Sequence, residues 1–183
     1  MILRSSIRTE MKNGLRKLFK DKNNNHLFIC DDIISFLDNI EFKSICLYSN
    51  IDNELNIDKL FNYLKDKDID IIYPFMKKDN NKMIITFKKY DNEFIDDDYH
   101  IKSVNGKDIN INDCDIILIP GLAYNMYGYR LGRGKGFYDK ALKDYQGIKI
   151  GVVCDDNIID EHFEEAHDVK VDYLVSEKRI IKI

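Results

Sequence analysis

The chain has 183 residues, of which 44% are apolar and 33% charged, the size and composition of one globular domain (residues 1–183) rather than of a disordered segment. A formal net charge of −4 weighs against a general nucleic-acid binder. No apolar stretch reaches the roughly 18 residues that a membrane-spanning helix needs, and the N-terminus lacks the apolar core of a signal peptide.

In chain order, residues 4–20 carry Ile7, Met11, Leu15 and Leu18 at helical spacing. Arg4, Arg8 and Lys12 repeat every fourth residue and form a cationic stripe beside that face, a pattern that also fits a plain solvated surface. Lys22–Asn25 reads as a polar turn. His26–Ile40 reads as a second helix with Leu27, Cys30, Ile33, Ile34 and Leu37 inward and His26 at its boundary.

Ser44–Tyr48 is a short apolar run of strand type. A loop over Ser49–Asn56 and a helix from Ile57 to about Asp66 follow, and then a second strand, Ile69–Tyr73, stopped by Pro74. Strand, helix and strand at this spacing predict a βαβ unit and a parallel sheet. Ligands of such sheets sit beyond the carboxyl ends of the strands. That rule places Ser49–Glu54 and Pro74–Met76 on one rim. Glu54 also suits the first turn of the following helix, where its charge complements the dipole.

Lys82–Phe87 alternates as a strand does. Lys88–Asp113 is polar, acidic and poorly periodic, and reads as a short hairpin or an irregular excursion. Ile116–Ile119 is a buried strand. It opens the most informative stretch of the chain, PGLAYNMYGYRLGRGKGFYDKAL over 120–142, whose end reads as the start of a helix. Gly128, Gly132, Gly134 and Gly136 are interleaved with Arg130, Arg133 and Lys135. Glycine admits positive φ and close approach of backbone amides to an anion, and the cations supply charge. Neither common phosphate fingerprint fits: Gly136 follows Lys135 where a Walker loop needs Ser or Thr, and Phe137 stands in the third glycine's place of G-x-G-x-x-G.

Lys149–Cys154 is a further buried strand, Asp155–Glu165 a loop with one helical turn, and Arg179–Ile183 a last short strand. The four cysteines, 30, 46, 114 and 154, form no C-x-x-C pair. Most sit in or beside apolar runs, so buried free thiols in a reducing cytoplasm are expected.

The run Pro120–Tyr124, then Gly128, then Arg130-Leu131-Gly132-Arg133-Gly134-Lys135-Gly136-Phe137-Tyr138-Asp139, resembles the signature of the 5-formyltetrahydrofolate cyclo-ligase family. The resemblance is tight over 116–142 and looser elsewhere. It implies a three-layer α/β/α fold with a mostly parallel central sheet, of the NagB/RpiA/CoA-transferase-like kind. It also implies a monomeric cytoplasmic enzyme that closes 5-formyltetrahydrofolate to the 5,10-methenyl form with ATP and Mg²⁺.

Residue by residue, the resemblance implies that Arg4, Ser5, Ser6, Ile7 and Arg8 reach ATP together with Arg130, Leu131, Gly132, Arg133, Gly134, Lys135, Gly136, Phe137 and Tyr138. Ile51, Glu54, Asn56 and Tyr124 would join residues 133–137 around the folate. Arg130, Arg133 and Lys135 would be the catalytic cations, and Asp139 and Asp168 the metal ligands. Asp139 also fits a helix-capping role, Asp168 an ordinary turn, and Phe137 simple packing. Tyr124, Phe137 and Tyr138 suit either ring stacking or the core. Three positions depart from the family pattern: His100–Val104 where relatives carry Glu-Pro, Asn157 for Gln, and Phe163 for Pro. Ser176 takes a Thr-like position. A non-catalytic nucleotide or sugar-phosphate binder on the same scaffold is the rival reading, because fold does not fix function. An RNA-binding module is disfavoured by the charge.

Overall fold

A computed structural model describes residues 2–20, 29, 31–51, 54–80 and 82–183. The expected turn at Lys22–Asn25, and His26, Leu27 and Cys30 of the expected second helix, lie outside the described residues. Helix α1 spans Ile2–Lys20, with Ile7 and Leu15 buried. Helix α2 is Asp32–Asp38, strand β1 Ser44–Cys46, helix α3 Asp58–Leu64, strand β2 Asp70–Asp79 and strand β3 Lys82–Lys89.

β4 (Phe94–Asp96) and β5 (Lys102–Val104) form a hairpin in the region whose sequence had no period. Next come β6 (Ile116–Pro120), β7 (Ala123–Asn125), β8 (Arg130–Leu131), α4 (Phe137–Ala141) and β9 (Ile148–Val152). β10 (Ile158–Ile159), β11 (Tyr173–Val175) and β12 (Ile180–Lys182) complete the chain.

The main sheet runs β12-β11-β9-β6-β1-β2-β3. The four central pairings are parallel, and the two edges, β11–β12 and β2–β3, are antiparallel. Strand parity sorts the apolar side chains into two cores. Ile45, Ile116, Leu118, Ile150 and Val175 face one side, where Ile33 and Leu37 of α2 and Leu60 and Leu64 of α3 cover them. Cys46, Ile117, Ile119 and Leu174 face the other, under Leu142 and Tyr145 that follow α4. Near-continuous apolar runs are what a sheet covered on both faces requires. This is the expected α/β arrangement around a mostly parallel sheet.

Two elements differ from the sequence reading. Pro74 does not stop β2. It lies within the strand, opposite Phe87 of β3. Phe87 turns its carbonyl away from β2 to accept from Ile109 N, so this is a non-hydrogen-bonded pair and the missing proline N–H interrupts no β2–β3 bond. The glycine stretch also does not run from strand straight to helix. A small sheet, β10-β7-β8, is interposed, and α4 is only five residues long. Cys46, Cys114 and Cys154 are buried free thiols, as expected, and burial pushes Cys154 up to about 12.

Candidate functional site

The sheet order reverses between β1 and β6: from β1 the chain proceeds outward through β2 and β3, and from β6 it proceeds the other way through β9 and β11. Loops leaving the carboxyl ends of two such strands diverge and open a crevice. A cleft of about 760 Å³ lies there. Tyr48 and Ser49 line it from beyond β1, Pro120 and Gly121 from the end of β6, and residues 132–140 from the glycine loop and α4. Arg4, Ser5 and Arg8 close it from α1.

Local rules shape the glycine loop. Gly134 (φ +98°) and Gly136 (φ +62°) occupy the left-handed region that side chains rarely adopt. Arg8 Nε donates to Gly132 O at 2.9 Å, so the cationic stripe of α1 is tied directly to this loop. Arg130 pairs with Asp139 (Nη2–Oδ2, 2.9 Å) and lies 5.1 Å from the centre of the Tyr138 ring. Arg133 pairs with Glu54 at 3.3 Å. Arg4 donates to both oxygens of Asp168, at 3.0 and 3.5 Å, and its Nη1 lies 3.3 Å from Glu165. Lys135 is exposed and, among the described residues, has neither a hydrogen bond nor an ion pair.

Arg4, Arg130 and Arg133 of the cleft are thus paired with carboxylates, while the ammonium groups of Lys135 and Lys140 have, among the described residues, neither a hydrogen bond nor an ion pair. Asp139 and Asp168 face the same space, and among the described residues no group of three or more His, Cys, Asp or Glu is placed to hold a metal. Mg²⁺ is ordinarily held by one or two carboxylates and by phosphate oxygens, so Asp139 and Asp168 are of the right type, but each would have to share or give up its arginine, Arg130 and Arg4 respectively.

Glu54 is unusual. Its side chain is 9% exposed, and desolvation raises its pKa above the ordinary 4.5 despite the opposing pull of Arg133 and the Ile51 amide. A carboxyl kept in such a place at a cost is a mark of a binding site. The raised value means that the fold favours the protonated form. This contribution is present below the carboxylate range and is lost as pH rises through the raised pKa. Glu54→Gln is therefore expected to melt at or above the parent temperature near about pH 8, and to lose that advantage near about pH 4. Thermal melts across this range measure it.

Most of the expected site residues gather in the cleft: Arg4, Ser5, Arg8, Ile51, Glu54, Arg130, Gly132–Tyr138, Asp139 and Asp168. Five stand elsewhere. Tyr124 is fully buried in the second core and donates its hydroxyl to Ile119 O at 2.8 Å, so its ring is a packing element and not a folate platform. Ile7 and Leu131 pack together with Ala123 and Phe163. Asn56 accepts from Asp58 N at 2.7 Å at the start of α3, and Ser6 is exposed outside the cleft.

The structure supplies a wall from the segment 88–113, whose residues the sequence reading left unassigned. Asp97, Tyr99, Ile101 and Lys102 of the β4–β5 hairpin line the cleft beside Met76 and Ile85, Met76 N donating to Asp97 Oδ2 at 3.0 Å. The positive φ of His100, +58°, marks a tight turn there, so the segment takes the first of the two forms expected of it, a short hairpin.

Comparison with known proteins gives a consistent result. Residues 2–177 match the model of the 5-formyltetrahydrofolate cyclo-ligase family. The 5-formyltetrahydrofolate cyclo-ligase of Mycoplasma genitalium is 30% identical over 159 residues, 79% of this chain and 85% of that protein. That of Mycolicibacterium smegmatis is 44% identical over 71 residues, a match that spans 38% of this chain and only 37% of the relative's length. Among solved structures, the 5,10-methenyltetrahydrofolate synthetase of Aquifex aeolicus superposes with a TM-score of 0.78 at 29% identity, covering 98% of this chain and 92% of that one.

Proposed function

The chain belongs to the 5-formyltetrahydrofolate cyclo-ligase family, and from that premise and the cleft we propose that it converts 5-formyltetrahydrofolate to 5,10-methenyltetrahydrofolate with ATP and Mg²⁺. The observation that carries the reading is the placement of a cation-threaded glycine loop at the switch point of the sheet, with a buried carboxyl and an apolar wall facing it.

In this reading the loop amides and Lys135 grip the terminal phosphates of ATP. Arg8, already bonded to the loop through Gly132, closes from α1. The formyl oxygen on N5 attacks the γ-phosphorus and ADP departs, leaving an O-phosphorylated formyl carbon. N10 adds to that carbon and loses its proton, and inorganic phosphate leaves with the former formyl oxygen. Phosphoryl transfer of this kind asks the protein for alignment and charge neutralisation rather than for a nucleophile. Arg130, Arg133 and Lys135 supply that positive charge. Asp139 and Asp168 would hold Mg²⁺, which when bound neutralises charge on the phosphates. Glu54, neutral or paired with Arg133, offers hydrogen bonds to the folate.

The test is turnover. Purified protein given 5-formyltetrahydrofolate, ATP and Mg²⁺ is expected to form a methenyl product that absorbs in the near ultraviolet, with no product when ATP is omitted. A protein that takes up ATP in a calorimeter yet never turns over the folate would be the non-catalytic binder instead.

A further inference from the structure

The β4–β5 hairpin is tied to β2 by three side chains, Asp97, Asp98 and Ser103, of which Asp97 also organises the turn itself. Asp97 is 5% exposed. Its Oδ1 accepts from the amides of Tyr99 (2.8 Å) and Ile101 (3.0 Å), and its Oδ2 from the amide of Met76 on β2 (3.0 Å). Its own amide donates to Ile101 O at 2.9 Å, and its carbonyl accepts from His100 N at 2.9 Å. One carboxylate thus ties both arms of the turn to each other and to the neighbouring strand.

Only an all-acceptor side chain can do this. An amide in its place would point N–H groups at amide donors. Further along the hairpin, Ser103 Oγ donates to Pro74 O at 2.7 Å, so the hairpin takes the side of β2 that β1 leaves open beyond Ile72.

We propose that Asp97 is a positioning residue for the reduced folate. It holds Tyr99 and Ile101 against Met76 as a fixed wall at one end of the cleft, and so sets the affinity for the folate without touching the phosphoryl step. The inference rests on the reading under Proposed function. The choice of folate over nucleotide follows from the sheet. Lys135 and the Arg8 tie lie on the loop after β8, Asp139 lies on α4, and Asp168 lies before β11. The hairpin sits on β2, on the opposite side of β1. That end is lined by Pro74, Met76, Ile85, Tyr99 and Ile101 together with the single cation Lys102, a mostly apolar surface suited to a ring rather than to a triphosphate.

The test compares Asp97→Asn with Asp115→Asn. Asp115 likewise accepts three bonds, from Lys43 N, Ser44 N and Ser44 Oγ, but it does so at the far end of the sheet. In Asp97→Asn the KM for 5-formyltetrahydrofolate is expected to rise about tenfold, with kcat and the KM for ATP within about twofold of the parent. Asp115→Asn, matched for loss of melting temperature, leaves all three constants in place. An unchanged folate KM, or an ATP KM that moves with it, overturns the assignment.

Should Asp97→Asn not fold, amide hydrogen exchange on the unaltered protein decides. Met76, Tyr99 and Ile101 gain protection with 5-formyltetrahydrofolate alone and none with ADP alone. Protection by ADP, or by neither ligand, refutes the proposal. Absence of folate turnover in the unaltered protein would instead sink the activity itself, which keeps the two failures separate.

Discussion

Lys135→Ala is expected to lower kcat by about 100-fold while leaving the melting temperature unchanged, the loss typical of removing one preorganised donor to a developing charge. The arginines of the cleft are engaged with carboxylates or the loop backbone, so deleting any of them disturbs the protein as well as the ligand. Lys135 is different. It is exposed, faces the cleft and has no partner among the described residues. Its removal breaks no bond within the fold, and whatever is lost must be an interaction with substrate. Lys135→Arg should recover part of the rate, because it restores charge without the compact ammonium geometry. Steady-state kinetics and a thermal melt on the same preparations check both halves of the statement. A kcat equal to that of the parent would return the loop to an ordinary surface turn.

Asp139→Asn is expected to fail in two ways at once. The pair with Arg130 is tight, at 2.9 Å, and its side chains are only 10% and 14% exposed. Neutralising the carboxylate strands a largely desolvated guanidinium. Breaking a fully buried pair costs about 3–5 kcal/mol. A cleft open to solvent reduces that to about 2–3 kcal/mol, which lowers the melting temperature by roughly 5–10 °C for a chain of this length. Turnover should fall at least about tenfold in parallel, through loss of charge balance around the phosphates. The double variant Arg130→Ala/Asp139→Asn should regain part of the stability but none of the activity, because it removes the stranded charge and not the deficit at the phosphates. A variant that melts lower yet turns over normally would confine Asp139 to a structural role.

These two residues were legible in the sequence for one reason: everything they need lies within a few positions of one another. Residues 130–139 form one contiguous motif, and Arg130 meets Asp139 across nine residues. The βαβ unit was legible for the same reason, since β1, α3 and β2 follow in order and their apolar patterns are local. What the sequence hid depends on distant parts of the chain. Arg4 and Asp168 are 164 residues apart, and neither the helical stripe nor the His-Asp turn foretells their pairing.

The resemblance put Tyr124 among the folate residues, with the core as its other reading. β7 is covered on both faces, however, so all of Ala123, Tyr124 and Asn125 are buried, and parity offers no outward side. Pro74 looked like a strand end because its tolerance in β2 is decided by which way Phe87 directs its carbonyl. Asp97 sits in a run of acids, Asp96 to Asp98, that reads as a solvated loop, and only the fold shows that its carboxylate collects three amides. Local pattern revealed the glycine-loop end of the cleft, and tertiary structure was needed to place the hairpin wall.

The central claim is that the loop around Gly132 receives the phosphates of the nucleotide while the folate lies between it and the hairpin. A crystal structure of the protein with ADP, Mg²⁺ and 5-formyltetrahydrofolate measures this most directly. The account predicts the β-phosphate oxygens within hydrogen-bond distance of the 132–136 amides and of Lys135 Nζ. Nucleotide bound away from that loop, with residues 132–136 turned to solvent, would contradict it.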